Sequence, residues 1–221
     1  MPTVFDDLDG ALALMPGAGA GALRSLRRAY SRRLSKEPPR SVARLALRLV
    51  RAGGIARRFV AYELVHHHRG ALASLRAADL ERLGRGLDGW AVVDAFACYV
   101  AGPVWRERQV GDALIRRWAR SRDRWWRRAA LVSTVPLNIS SRGGCGDTPR
   151  TLAICQLLAA DRDDMVVKAM SWALRELAKR DPRAARRFLA EHGEALAARV
   201  VREVRNKLAT GLKNPRRRPR P

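Results

Sequence analysis

The sequence predicts an all-α protein built from stacked antiparallel helix pairs, and three observations support that prediction. Leu, Ala and Arg, which are good helix formers, dominate the chain. Apolar residues recur at spacings of three and four, as on one face of an α-helix, and no segment alternates strictly over the length of a strand. A short pattern also recurs every 34 to 40 residues, which is the period of a helix-pair repeat.

The spacing of three and four marks apolar helix faces along the chain. They consist of Val42, Leu45 and Leu49; of Leu114, Ile115 and Trp118; of Leu152, Cys155 and Leu158; and of Phe188, Leu189 and His192. The first helix of each predicted pair occupies residues 41–52, 76–83, 107–120, 149–160 and 183–197. Gly and Pro residues between these segments predict short connections.

The recurring pattern consists of six residues that open the second helix of each pair. Its copies are ARRFVA (56–61), VVDAFA (92–97), WRRAAL (126–131), VVKAMS (166–171) and VVREVR (200–205). The third positions of successive copies are 36, 34, 40 and 34 residues apart. This period is typical of a HEAT-like α-solenoid, in which each helix pair buries its apolar face only against its neighbours.

The third position of each copy is polar, although the residues beside it are mostly apolar. Its occupants are Arg58, Asp94, Arg128, Lys168 and Arg202. In stacked helix pairs this position forms a row along one face, and a row of cations suits the phosphate backbone of a nucleic acid. The carboxylate of Asp94 is the exception in the row, which makes it the candidate for chemistry at that face.

The distribution of charge and helix breakers predicts three segments. Residues 1–21 are expected to be a flexible lead-in, because an acidic start precedes the run MPGAGAGA. Residues 22–212 are expected to form the repeat domain. Residues 213–221, KNPRRRPRP, are expected to form a basic tail that is not helical, because Pro cannot continue a helix.

The charge of the chain points to a polyanionic partner. The 221 residues include 44 Lys or Arg and 21 Asp or Glu, which gives a formal net charge of +23. An Arg-rich genome explains the preference for Arg over Lys but not the two-to-one excess of base over acid. Because guanidinium groups bind phosphate in a bidentate manner, nucleic acid is the expected partner.

Several other classes of protein are excluded by the same composition. The chain is 47% hydrophobic, so it can build a core, and no apolar run approaches the roughly 18 residues of a membrane span. The start, MPTVFDDLDG, lacks the features of a secretory signal. Its three Cys have no metal-ligand spacing, so we expect a reducing cytoplasm, no metal and no cofactor.

A candidate site is centred on Asp94. Trp90 precedes Asp94 by four residues, so on a helix both side chains lie on one face. Arg128 takes the place of Asp94 one repeat later, and Trp172 lies four residues after Lys168. Taken singly, such a Trp usually belongs to a core and such an Asp is usually a helix cap. Together they predict that two Trp, one Asp and one Arg converge on one concave face.

Two stretches, 117–131 and 166–182, resemble the AlkD-like HEAT family of DNA alkylation-repair glycosylases. The first stretch matches the family pattern with Trp118, Ser121, Trp125 and Arg128. The second matches it with Lys168, Ala169, Trp172, Leu174, Arg175 and Glu176. Trp90 and Asp94 resemble the Trp-x-x-x-Asp catalytic segment, and Tyr30 resembles a Tyr of the N-terminal helix. The resemblance covers residues 22–208, but Gly89 stands where the family often has another Trp, and the loop 138–149 is longer.

The resemblance implies excision of cationic alkylated purines, such as 3-methyladenine or 7-methylguanine, from duplex DNA in base excision repair. The catalytic candidates are Asp94, Trp90, Trp172 and Arg128. The DNA-binding candidates, taken from the cationic row and the matched stretches, are Arg58, Lys168, Arg202, Tyr30, Arg127 and Arg175. We expect a monomer in the bacterial cytoplasm, associated with the nucleoid when it is bound to DNA.

The residue types are chemically suited to this reaction. A purine alkylated at N3 or N7 leaves as a neutral base, so a general acid is not needed. Positive charge then develops on the deoxyribose, where one carboxylate can stabilise it. Two other functions remain open, a HEAT-repeat protein that binds DNA without catalysis and a scaffold for an acidic protein partner. A scaffold has no need of Asp94 within a basic row.

Overall fold

The structure, a computed structural model, describes residues 3–215, and within this range the chain forms helices and no strand. The prediction of an all-α fold is confirmed. Backbone contacts divide the chain into two compact units, Met1–Val110 and Gly111–Pro221. Each unit has its own helices and its own apolar core.

The first unit is organised around helix α4 (Ile55–His67), against which helices α2 (Ala20–Arg33), α3 (Pro39–Ala52) and α7 (Trp90–Phe96) pack. Its other helices are α1 (Val4–Ala13), α5 (Arg69–Ala73), α6 (Ala77–Leu83) and α8 (Gly102–Arg106). Helix α4 packs between α2 and α7, and α3 packs against α4, α5 and α6. The tight α3–α4 connection consists of Gly53 and Gly54, whose φ angles of 80° and 82° disfavour other residues.

The first residues of the chain differ from the prediction of a flexible lead-in, because residues 4–13 form helix α1. Thr3 and Asp6 make a capping box, in which the Asp6 amide donates to the Thr3 hydroxyl and the Thr3 amide donates to the Asp6 carboxylate. Leu8 and Leu12 are buried where α1 packs against α3 and α4. The acidic start is therefore the first turn of a helix, where the helix dipole favours negative charge.

The second unit consists of two layers of helices. Its helices are α9 (Asp112–Ala119), α10 (Arg124–Ser133), α11 (Val135–Asn138), α12 (Thr148–Leu157), α13 (Asp164–Ala178), α14 (Pro182–His192) and α15 (Ala198–Thr210). Helices α10, α13 and α15 pack in succession in one layer, and α9, α12 and α14 pack in succession in the other. This is the stacking of helix pairs that the HEAT-like prediction requires.

The internal repeat is confirmed as a structural repeat. The second helices of the predicted pairs are α4, α7, α10, α13 and α15, and the first helices are α3, α6, α9, α12 and α14. The polar row keeps its register, since Arg58 is the fourth residue of its helix and Asp94, Arg128, Lys168 and Arg202 are each the fifth. The row therefore occupies equivalent positions in successive helices.

Several boundaries differ from the sequence prediction, and the helix expected over 149–160 ends at Leu157. The helix expected over 107–120 begins only at Asp112, because Arg108 adopts a φ of 57°, which is outside the helical region. The helix expected over 183–197 ends at His192. The part of the basic tail at residues 216–221 lies outside the described residues. Within residues 3–215 no helix is both long and apolar enough to cross a membrane.

Candidate functional site

Helix α7 carries the carboxylate and the first aromatic of the predicted site. Its first residue is Trp90, which is 60% exposed although an aromatic of this size is usually largely buried. Asp94, one turn later, is half-buried and lies on the same face of the helix. An exposed aromatic beside a partly open carboxylate forms a surface that a ligand can reach without rearrangement.

The chain passes from α7 into a π-helical turn, Ala97–Ala101, which leads directly into α8. Such turns are rare and occur frequently at functional sites. Tyr99 anchors this turn, because its hydroxyl accepts a hydrogen bond from Arg24 Nη2 at 3.2 Å and its carbonyl oxygen lies 2.9 Å from His66 Nδ1. The backbone that follows Asp94 is thus fixed from two neighbouring helices.

Glu63 connects the same anchor to the core of the first unit. Its side chain is 2% exposed and accepts hydrogen bonds from Arg24 Nε at 2.9 Å and Arg27 Nε at 3.1 Å. The bonds to Glu63 and Tyr99 raise the pKa of Arg24, which therefore stays charged. Sequence reasoning missed this cluster because its members lie on α2, α4 and the π turn, with no spacing along the chain that links them.

Of the predicted DNA contacts in the first unit, Arg58 and Tyr30 have different environments. Arg58 is half-buried, and its Nη2 donates to the carbonyl oxygen of Arg85 at 2.8 Å. Tyr30 is 5% exposed, and burial together with a hydrogen bond to Asp7 raises the pKa of its hydroxyl. The ring of Tyr30 belongs to the core of the first unit, and its contact with DNA stays a prediction.

Arg128 and Arg127 hold the helices of the second unit together. Arg128 is 6% exposed, and its Nη1 donates to the carbonyl oxygen of Met165 at 2.5 Å, which links α10 to the first turn of α13. Arg127 Nε donates to the Asp161 carboxylate at 2.7 Å, and its Nη1 donates to the carbonyl oxygen of Ser121 at 3.1 Å. Both guanidinium groups therefore have a structural role within this unit.

Helix α13 places Lys168 and Trp172 one turn apart. The Lys168 ammonium lies 2.6 Å from the Asp164 carboxylate, and this contact is the main reason that the pKa of Asp164 is lowered. The Lys168 side chain remains 40% exposed, so its ammonium group is accessible to an anion from solvent. Trp172 is half-buried.

Arg175 belongs to a buried network on α13 and α15. Its Nε donates to the Ser171 hydroxyl at 3.2 Å and lies 4.0 Å from the Glu203 carboxylate. Burial lowers the pKa of Arg175. Burial alone would raise the pKa of Glu203, but hydrogen bonds from Ser171 and Arg199 hold it below its ordinary value.

In contrast, Arg202 on α15 is exposed.

The catalytic candidates fall into both units. Trp90 and Asp94 lie in the first unit, and Arg128 and Trp172 lie in the second. Their convergence on one face therefore stays a prediction. In the part of the chain that the structure describes, no group of three or more His, Cys, Asp or Glu side chains is placed to hold a metal ion.

Replacing Arg128 by Ala is expected to weaken duplex binding and also to lower stability. The change removes the donor that the part-buried carbonyl of Met165 accepts from, which costs about 1–3 kcal/mol. Chemical denaturation measures the loss. The matched control is Arg202→Ala, which removes the exposed cation from the same register position and should leave stability within about 0.5 kcal/mol. Equal stability of the two variants would contradict the structural role of Arg128.

Comparison with models of known protein families matches residues 14–208 to the DNA alkylation repair enzymes. The matched range includes every catalytic and DNA-binding candidate named above. A comparison with curated proteins found no match. Since the family match covers most of the 221 residues, the chain belongs to the DNA alkylation repair enzyme family.

Proposed function

We propose that this protein is a DNA glycosylase that hydrolyses the N-glycosidic bond of cationic alkylated purines in duplex DNA. 3-Methyladenine and 7-methylguanine are the expected lesions. The observation that carries the proposal is the pair on α7, where exposed Trp90 stands one turn from half-buried Asp94. The family of the chain and its net charge of +23 support DNA as the substrate.

The proposed reaction depends on the charge of the lesion. Alkylation at N3 or N7 makes the purine cationic, so the base leaves as a neutral molecule and takes the electron pair of the glycosidic bond. Positive charge then develops on the sugar, at C1′ and the ring oxygen. The Asp94 carboxylate stabilises that charge, and water attacks C1′ while Asp94 accepts its proton and passes it to solvent.

Trp90 contributes through the face of its indole ring. Stacked against the cationic base or the sugar edge, it supplies a cation–π interaction of roughly 0.5–2 kcal/mol. Its 60% exposure makes the ring available to DNA before any conformational change. In a flexible segment this contact would require ordering of the side chain, but here Trp90 opens a helix that continues into the anchored π turn.

The preorganisation of Asp94 supports a catalytic role for it. Electrostatic stabilisation of a transition state is effective when the charged group is held before the reaction begins. The π turn after α7 is held by Arg24 and His66 through Tyr99, so the helix that carries Asp94 is constrained at its C-terminal end. The roles predicted for Trp172 and Arg128 from sequence remain part of this proposal, as do phosphate contacts by Lys168 and Arg202.

Base release from methylated duplex DNA tests the proposal. Wild-type protein is incubated with duplex DNA that carries 7-methylguanine and 3-methyladenine, and the released bases are identified by mass. We expect release well above the spontaneous loss from the same DNA without protein, and none from unmethylated DNA. Duplex binding with no release above the spontaneous rate would instead identify a DNA-binding protein of this fold without catalysis.

A further inference from the structure

A cleft in the first unit is lined by four guanidinium groups. It lies where α3 ends, α4 begins and α6 ends, and it encloses about 330 Å³. Its lining residues are Val50, Arg51, Arg58, Arg82, Arg85 and Gly86. Of these, only Arg58 belongs to the polar row of the repeats, so the repeat pattern does not account for the cleft.

The cleft has an excess of positive charge. Among residues 3–215, no carboxylate makes an ion pair with any of the four arginines. Arg51, Arg82 and Arg85 are exposed, and the nearest acidic residue along the chain after Gly86 is Asp88, whose charge acts on the Tyr62 hydroxyl that Arg58 contacts. Like charges gathered around one concavity repel each other, so a bound anion would stabilise this arrangement.

One of the four guanidinium groups is held in place by the protein. Arg58 Nη2 donates to the Arg85 carbonyl oxygen at 2.8 Å, and Arg58 Nη1 donates to the Tyr62 hydroxyl at 3.4 Å. The Tyr62 hydroxyl itself donates to the carbonyl oxygen of Leu83 at 2.9 Å. Since a guanidinium has about five N–H donors, roughly three of those of Arg58 remain for a ligand.

Gly86 maintains the close approach of Arg58 to the α6–α7 connection. Its φ is +68°, which residues with a side chain rarely adopt, and an added Cβ would lie 3.2 Å from Arg58 Nη2. A side chain at this position would therefore strain the backbone and require the Arg58 guanidinium to shift by a few tenths of an ångström. Gly86 therefore allows the close approach that the Arg58–Arg85 hydrogen bond requires.

We propose that this cleft binds a backbone phosphate of duplex DNA and positions the strand next to Trp90. Guanidinium groups bind phosphate through paired N–H donors, and several around one cavity match a tetrahedral anion. Gly86 precedes Trp90 by four residues, which places their Cα atoms at most about 14 Å apart, or a few nucleotides of a strand. The inference rests on the proposed function, because it takes duplex DNA as the ligand.

A double variant, Arg82→Gln with Arg85→Gln, tests the cleft without touching the side chain of Arg58. Duplex affinity is measured against salt concentration, and each lost phosphate contact should reduce the slope of log K against log salt by about 0.9. We expect the double variant to lose between about one and two units of slope. The matched control, Arg28→Gln with Arg44→Gln, removes the same charge from exposed positions on α2 and α3.

The control pair should change the slope by less than about half a unit, and both double variants should keep the wild-type melting temperature. Equal slopes for the cleft variant and the control would overturn the inference. That result is distinct from failure of the proposed function, which is judged by base release from the wild-type protein. If the wild-type protein releases 7-methylguanine but the cleft variant and the control have equal salt slopes, only the proposal that the cleft binds phosphate is contradicted.

Discussion

Replacing Asp94 by Asn is expected to reduce release of 7-methylguanine from methylated duplex DNA by at least about 100-fold. Removing one preorganised group that stabilises transition-state charge commonly costs this much or more. Asn preserves the size of the side chain but carries no negative charge and cannot accept the proton of the attacking water. The rate is measured under single-turnover conditions, so that it reports the chemical step rather than product release.

Duplex binding provides the second readout for this variant. Because the change removes an anion from a protein of charge +23, binding should be unchanged or slightly tighter while release is lost. The control is Asp88→Asn, which neutralises an exposed acid six residues away in the chain and should release the base at the wild-type rate. Equal release by Asp94→Asn and wild type would remove Asp94 from the mechanism.

Replacing Glu63 by Ala is expected to destabilise the protein by about 3–5 kcal/mol. Glu63 is 2% exposed and pairs with Arg27, whose side chain is only 10% exposed, so the change leaves a buried cation without its partner. Arg24, which is 42% exposed, can turn to solvent. The melting temperature should fall by roughly 6–20 °C, as followed by circular dichroism.

A pair with an exposed carboxylate in the same unit serves as the control for Glu63. Glu107 is 57% exposed and lies 2.9 Å from Arg106, so Glu107→Ala should cost no more than about 1 kcal/mol. Adding Arg27→Met to Glu63→Ala should restore part of the loss, because it removes the buried unpaired charge. A melting temperature for Glu63→Ala equal to that of Glu107→Ala would show that the cluster does not stabilise the fold.

The helix pairs could be predicted from sequence because each pair buries an apolar face in the same way, so the same pattern recurs along the chain. Each copy needs an apolar face at helical spacing, so the pattern returns at each second helix, and Asp94 is visible as the exception in its row. Helix α1 was not predicted, because its acidic residues and the following Gly-rich run have a composition typical of a flexible segment. Its stability comes from burial of Leu8 and Leu12 against α3 and α4.

The environment of individual cations could not be predicted in the same way. The repeat pattern predicts that Arg58, Arg128 and Arg202 occupy equivalent positions in their helices. The exposure of each side chain, however, depends on the helices packed around it. Arg128 is buried against Met165, Arg202 is exposed, and Arg58 lines a cleft with arginines from two other helices. Contacts between residues distant in sequence decide these differences, and a periodic pattern contains no information about them.

Helix α7, the π turn and α8 form one continuous helical segment, and the π turn changes the direction in which its side chains point. Asp94 and Trp105 are 11 residues apart, and in an uninterrupted α-helix, at about 100° per residue, both side chains would lie on the same side. The extra residue of the π turn shifts the phase of α8 by roughly 100° relative to α7. Before the π turn the carboxylate is half-buried, whereas the six residues 100–105 are all buried and Trp105 is only 1% exposed. This helical segment therefore presents its partly open carboxylate before the π turn and is buried around its whole circumference after it.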